Sequence, residues 1–141
     1  IFIANFSLGS ALASHLAVIA AKHYDSIEII EAHGQHKVDS PSGTAVNTAE
    51  RIAAARENDV AAPYGDQRAR GQLVGGIPVH SLRMVGVVAT QDVIFGGEGE
   101  TLTINHSTQS NRSYEAGILA SMRALIGLRG SIVGLDRVIE L

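Results

Sequence analysis

Cysteine and tryptophan are both absent from the sequence. Without thiols the chain has no disulfides, no thiolate metal ligands and no thiol nucleophile. Aromatic residues make up 4%, too few for the stacking platforms that hold single-stranded nucleic acid. Positive charge is not in excess either. Lys and Arg total 11 against 14 Asp and Glu, so the formal net charge is -3. Nothing in that balance favours nucleic acid or an anionic membrane as a partner. Long apolar runs are missing as well. Ile1-Phe2-Ile3-Ala4 is cut short by Asn5. It cannot span a bilayer, and it lacks the basic start of a signal peptide. What remains is 141 residues, 45% hydrophobic and 18% charged, the profile of one globular domain. The chain opens on Ile1, inside what reads as a strand, and so is expected to be the later part of a longer protein.

Hydrophobic spacing gives the element order. Leu8, Leu12, Leu16 and Ile19 draw one stripe on a helix running to about Tyr24. Ile27 to His33 reads as a strand, apolar at its start and charged at its end. A polar loop from Gly34 leads to a second helix near Ser42, with Ala45, Ala49, Ile52 and Ala53 on one face, ending around Asn58. Ala61 to Gly76 reads as a mobile loop. Strands are expected near 77–83, 91–95 and 100–106, the last two joined by a hairpin connection at Gly96-Gly97-Glu98-Gly99. A third helix follows Asn111 and carries Tyr114, Ile118, Met122 and Leu125 on one face. Val133 to Leu141 is a tail with strand character. This order predicts an α+β fold, a two-layer mixed sheet of about four strands with helices on one face. The uncovered face is then expected to carry self-association.

The chemistry concentrates in Glu31-Ala32-His33-Gly34-Gln35-His36-Lys37-Val38-Asp39-Ser40-Pro41-Ser42-Gly43-Thr44-Ala45. Two imidazoles, an ammonium and two carboxylates sit at a strand end that runs into a helix start. Ser42-Gly43-Thr44 offers hydroxyls and unpaired N–H groups where the helix dipole is positive, and Lys37 adds a full charge. That is a receptor for a carboxylate or phosphate, with His33 beside it for proton transfer. Glu31 shares a strand face with His33 by period two and is placed to orient it. Each residue alone has a plainer reading: Ser42 as a helix cap, His33 and Lys37 as solvated loop groups. No Walker loop and no Gly-x-Gly-x-x-Gly fingerprint is present, so no dinucleotide fold is visible. His33 and His36 lack a third ligand at a recognisable spacing, so no metal site is expected.

These residues resemble the signature of the dihydrodipicolinate reductase (4-hydroxy-tetrahydrodipicolinate reductase) family, Glu-x-His-His-x-x-Lys-x-Asp-x-Pro-Ser-Gly-Thr-Ala. Glu31, His33, Lys37, Asp39, Pro41, Ser42, Gly43, Thr44 and Ala45 fit it without a gap. Ile3-Ala4-Asn5-Phe6-Ser7-Leu8-Gly9 is similar to the segment that closes over the nicotinamide in that family. The stretches 76–83, 95–100 and 104–106, with Arg112, resemble it too. Gly34 departs from the pattern, standing where the family has a second, substrate-contacting His, and Ala4 stands where Pro is usual.

The resemblance implies an NADH- or NADPH-dependent reductase of diaminopimelate and lysine biosynthesis. It would be cytoplasmic and homotetrameric, acting on a small cyclic dicarboxylate. It implies that residues 1–141 form the substrate-binding and oligomerisation domain. Residues 1–7 would be a hinge from a Rossmann domain missing from this chain, and 131–141 a tail returning to it. By this likeness His33 and Lys37 are catalytic, and Gly34, Ser42, Gly43 and Thr44 bind substrate. Ile3, Ala4, Asn5 and Phe6 contact the cofactor, which is held mainly by the other domain. The fragment alone is expected to be inactive. Two rival readings stand beside this one. The first is a hydrolase using Ser42 with Lys37 or His33, against which no Gly-x-Ser-x-Gly elbow is present. The second is a non-catalytic oligomerisation or dicarboxylate-sensing module. Among the other groups, His15 and His23 read as packed or edge residues, and His106 as a buried imidazole bonded to backbone. His80 reads as solvated and Arg83 as salt-bridging. Arg112 sits at an electrostatically unfavourable helix start, which points to a ligand or partner contact.

Overall fold

The computed structural model describes all residues, 1–141. The first helix, α1 (Leu8–Ala20), is capped by Ser7, whose hydroxyl accepts from the N–H of Ser10. Strand β1 (Ser26–Gly34) follows, then α2 (Gly43–Ala55), β2 (Gln72–Val74), β3 (Ile77–Met84), β4 (Ala89–Gly97) and β5 (Glu100–Thr108). A 3-10 turn over Asn111–Tyr114 leads into α3 (Glu115–Leu125), and a short α4 (Leu135–Val138) ends the chain.

One mixed sheet of five strands runs β2-β3-β1-β4-β5. The strand not foreseen is β2, which lies in the segment read as a loop. It pairs with β3 across Gly75-Gly76, both at positive φ (57° and 81°), the backbone a tight hairpin requires. The tail also departs from expectation. It is helical over Leu135–Val138, and its only strand pairing is an isolated parallel bridge between Phe2 and Val133.

β1 and β3 are parallel, joined by a crossover through α2. Their C-terminal ends therefore emerge at the same edge of the sheet, where α2 begins. This topology carries the site: strand ends and a helix N-terminus converge there.

The core lies between the sheet and α1 and α2. Ile27, Ile29, Ile77, Val79, Val93 and Phe95 point inward from the strands onto Ala17, Ala21, Ala45, Ala49 and Ile52. The buried side of α1 is not its leucine stripe. Leu12, Leu16 and Ile19 are 43–50% exposed, whereas Ser10, Ala13, Ser14 and Ala17 are buried. Small side chains let α1 and α2 approach closely, and a Ser14–Thr48 hydroxyl pair at 2.8 Å sits in the contact. α3 repeats the pattern. Gly117 and Ser121 are buried, while Ile118, Met122 and Leu125 are exposed. The opposite sheet face carries Leu73, Leu82 and Met84, all partly exposed. No helix is long and apolar enough to cross a membrane.

Candidate functional site

β1 is apolar where it crosses the core and polar where it leaves it. Its inward-facing residues run Ile27, Ile29, Glu31, His33. Glu31 is fully buried. Its carboxylate accepts from Nδ1 of His33 at 2.6 Å, from the backbone N–H of Ser42 at 3.2 Å and from both terminal nitrogens of Arg83 at 3.1 and 2.9 Å. Burial by itself would push the Glu31 carboxyl up. The Arg83 guanidinium outweighs it together with Ser81, His33 and the Ser42 N–H, and holds the group below the usual carboxylate range. Arg83 reaches the site because the parallel register sets His33 opposite Arg83 and Glu31 opposite Ser81. Its Nη2 also donates to the carbonyl of Asp39 at 2.6 Å, which ties down the loop bearing Lys37.

Ser42 caps α2, accepting from the N–H of Ala45 at 3.2 Å, and is buried. A capping serine in this position is not a free nucleophile, and the hydrolase reading finds no support. Past the cap, Gly43 and Thr44 open onto a cleft. A cavity of about 380 Å³ is lined by Asn5, His33, Lys37, Thr44, Gln91 and His106 among others. An adjoining recess of about 630 Å³ shares His33, Lys37, Ser42 and Thr44 and adds Gly43 and Asp39. Lys37 already holds an internal anion: its ammonium lies 2.8 Å from Asp39. That contact, with the Gly43 N–H nearby, keeps the Asp39 carboxyl low.

The N-terminal segment closes one side. Asn5 accepts from the Ser7 N–H at 2.9 Å, so its amide NH2 donates to the hydroxyls of Ser10 at 3.1 Å and Thr44 at 3.2 Å. Ala4, Asn5 and Phe6 line the cleft, and Ile3 does not. Gly34 also lies outside both recesses. It ends β1 one residue out of phase with His33, and a Cβ there would meet the Val87 carbonyl at 3.3 Å.

Two cleft residues are not assigned to the site by the sequence alone. Gln91 is buried on β4, its NH2 donating to Thr48 at 3.1 Å and its carbonyl oxygen without a partner. The available signal was a polar side chain on the inward face that also carries Val93 and Phe95. The sequence suggests a His106 bonded to backbone. Its Nε2 instead lies 3.2 Å from the Ser7 hydroxyl, and burial pushes its pKa down. Gly9 makes room for the ring, since a Cβ at that position would come within 2.6 Å of it. Elsewhere, His80 pairs with Glu28 at 2.7 Å instead of being merely solvated. His15 is half-buried and His23 exposed. Arg112 is 85% exposed, lies 3.5 Å from Glu115 and lines neither recess.

Comparison with known proteins agrees over nearly the whole chain. Residues 9–139 match the family described as "Dihydrodipicolinate reductase, C-terminus". A 4-hydroxy-tetrahydrodipicolinate reductase from Clavibacter michiganensis subsp. michiganensis is 62% identical over 143 residues, covering 100% of this chain and 52% of that protein. One from Mycolicibacterium smegmatis is 48% identical, covering 97% of this chain and 58% of its own length. Among solved structures, the dipicolinate-bound dihydrodipicolinate reductase of Paenisporosarcina sp. TG-14 superposes with a TM-score of 0.85 at 35% identity, over 96% of this chain and 52% of that one. The chain thus spans about half the length of the relatives it matches.

Proposed function

The chain belongs to the dihydrodipicolinate reductase C-terminal family, and we propose that it is the substrate-binding and proton-delivering half of a 4-hydroxy-tetrahydrodipicolinate reductase. The enzyme would reduce the dehydrated substrate to tetrahydrodipicolinate in the diaminopimelate and lysine route. The observation that carries this reading is the cleft itself. An anion receptor at the α2 N-terminus lies beside an imidazole and an ammonium.

One carboxylate of the cyclic substrate binds at Ser42, Gly43 and Thr44, with Lys37 adding charge. Thr44 is already accepting from Asn5, so its own hydroxyl hydrogen is free to donate to that carboxylate. NADH or NADPH supplies hydride to the conjugated C=C–C=N system. The residues present fit a nicotinamide here: Ala4, Asn5 and Phe6 line the cleft, and Gln91 offers a buried, unpartnered acceptor for an amide N–H. The carbanion left by hydride addition needs a proton, which Lys37 donates with His33 as its acid-base partner. Gly34, in the place of the family's second His, contributes no side chain.

The remaining half of the enzyme would bind the rest of the cofactor. Residues 1–7 form the hinge to it. The tail 131–141 returns alongside, held by the Phe2–Val133 bridge, and the exposed apolar side of α3 is available to pack on it. The open sheet face, with Leu73, Leu82 and Met84, would bring copies together as a cytoplasmic homotetramer. A species larger than a monomer in analytical ultracentrifugation at micromolar concentration is the expected result, and a clean monomer contradicts the assembly.

The test of the binding site is an NMR titration with pyridine-2,6-dicarboxylate. Amide shifts at Gly43 and Thr44 support the reading, and shifts confined to other residues overturn it. A non-catalytic dicarboxylate-sensing module would give the same shifts. It is distinguished by a lack of reductase turnover once a dinucleotide-binding half is joined upstream.

A further inference from the structure

Three of the groups on the Glu31 carboxylate can only donate. The Ser42 backbone N–H and the two Arg83 nitrogens, at 3.2, 3.1 and 2.9 Å, cannot accept. A protonated Glu31 would need an acceptor, and the candidates are Nδ1 of His33, at 2.6 Å on Oε2, and the hydroxyl of Ser81 on the neighbouring strand. Each carboxylate oxygen takes an N–H of Arg83, so a hydrogen placed on either one would be crowded against a guanidinium. The carboxylate is therefore the ionised, acceptor-only form, and Nδ1 of His33 must carry the hydrogen.

We infer that Glu31 is the positioning residue of the proton-transfer site: it fixes His33 as the Nδ1–H tautomer and leaves Nε2 as the ring's only exchanging nitrogen, on the cleft side. When neutral the ring accepts a proton at Nε2, and when charged it donates from Nε2. Nδ1 keeps its hydrogen throughout. Arg83 has no contact with the cleft ligand site. It balances the buried charge of Glu31, and through the Asp39 carbonyl at 2.6 Å it fixes the loop that presents Lys37. One buried carboxylate thus sets the ring of His33, the first N–H at the α2 cap and, through Arg83, the Lys37 loop. Its relevance to catalysis rests on the proton-delivering role proposed for the cleft.

Side-chain 15N–1H correlation of the 15N-labelled chain at about pH 9, where imidazole is neutral, tests the inference directly. His33 is expected to show a pyrrole-type Nδ1 and a pyridine-type Nε2. The opposite tautomer, or an even mixture, overturns the positioning. In Glu31→Gln the single carbonyl oxygen is contested by four donors, and a substantial Nε2–H population is expected. An unchanged Nδ1–H ring in that variant overturns the claim that the carboxylate charge holds it. The wild-type measurement decides whether or not the variant folds. A pyridine-2,6-dicarboxylate titration of the same sample separates the two proposals. No binding with an Nδ1–H ring overturns the function and leaves the positioning standing. Binding with an Nε2–H ring does the reverse.

Discussion

Replacing Arg83 by Met should be among the most costly single changes in this domain. Glu31 is fully buried, and the Arg83 side chain is only 18% exposed. Two of the four donors on the carboxylate come from Arg83. Met keeps much of the side-chain volume, so the loss is mainly electrostatic. Breaking a buried pair while leaving one charge behind costs about 3–5 kcal/mol. In a domain of this size each kcal/mol lowers Tm by roughly 3–5 °C, so a fall of about 10–20 °C is expected at pH 7. The pH dependence identifies the cause. In the native chain the depressed Glu31 contributes stability above its unfolded value near about 4.3, and that contribution is lost as pH falls through its lower folded value. In Arg83→Met, burial acts with less opposition and raises the folded value. The variant is then penalised at neutral pH and relieved as the carboxyl protonates. Urea unfolding at pH 7, at about pH 5 and at about pH 4 should give a wild-type-minus-variant difference that shrinks steadily with acid. A difference under about 1 kcal/mol at pH 7, or one independent of pH, would refute the reasoning and reduce Arg83 to ordinary packing.

Three other outcomes follow from the geometry. Gly117→Ala places a Cβ 1.9 Å from the Phe6 carbonyl, so α3 must move off the N-terminal segment. A loss of about 3 kcal/mol or more is expected in chemical denaturation, against a slight gain where a helical Gly is unhindered. Gly9→Ala drives a Cβ to 2.6 Å from the His106 ring, and should shift the His106 ring signals and weaken dicarboxylate binding while leaving the fold intact by circular dichroism. Asp39→Asn removes the internal anion from Lys37. Pyridine-2,6-dicarboxylate should then bind about two- to fivefold more tightly in low salt by calorimetry, the gain fading as salt rises.

The parts of the fold legible in the sequence were those specified locally. Ser42-Gly43-Thr44 announced a helix cap, and the inward spacing of Ala45, Ala49 and Ile52 holds in α2. The passage of β1 from Ile27 and Ile29 to Glu31 and His33 marked where a strand leaves the core. The pairing of Glu31 with His33 was readable from period two alone. The leucine stripe of α1 misled because hydrophobic periodicity reports an apolar face and does not say what covers it. Close helix packing selected the alternative face of Ser and Ala, and the leucines were left outside. β2 was lost because three residues between loops carry little periodic signal. The cue was the Gly75-Gly76 pair standing between Val74 and Ile77.

Arg83 pairs with a carboxylate as the sequence suggests, but its partner, and the place of Gln91 and His106 in the cleft, were out of reach for a different reason. Arg83 lies 52 residues from Glu31, and their contact depends on β3 pairing parallel beside β1. Gln91 and His106 sit opposite each other on β4 and β5, and face the cleft only because that hairpin joins the far side of β1. This site at parallel strand ends is assembled from both sources: one segment supplies the recognisable motif, and its strand neighbours supply counterion and walls. The motif here holds the groups that would meet substrate. The residue that keeps its buried carboxylate ionised comes from another strand. Single-sequence reading therefore finds the reacting groups of such a site more readily than the groups that set their charge. Arg83 is where the two kinds of information meet, since without it the Glu31 of the motif would be an unpaired buried acid and could not hold His33 by its charge.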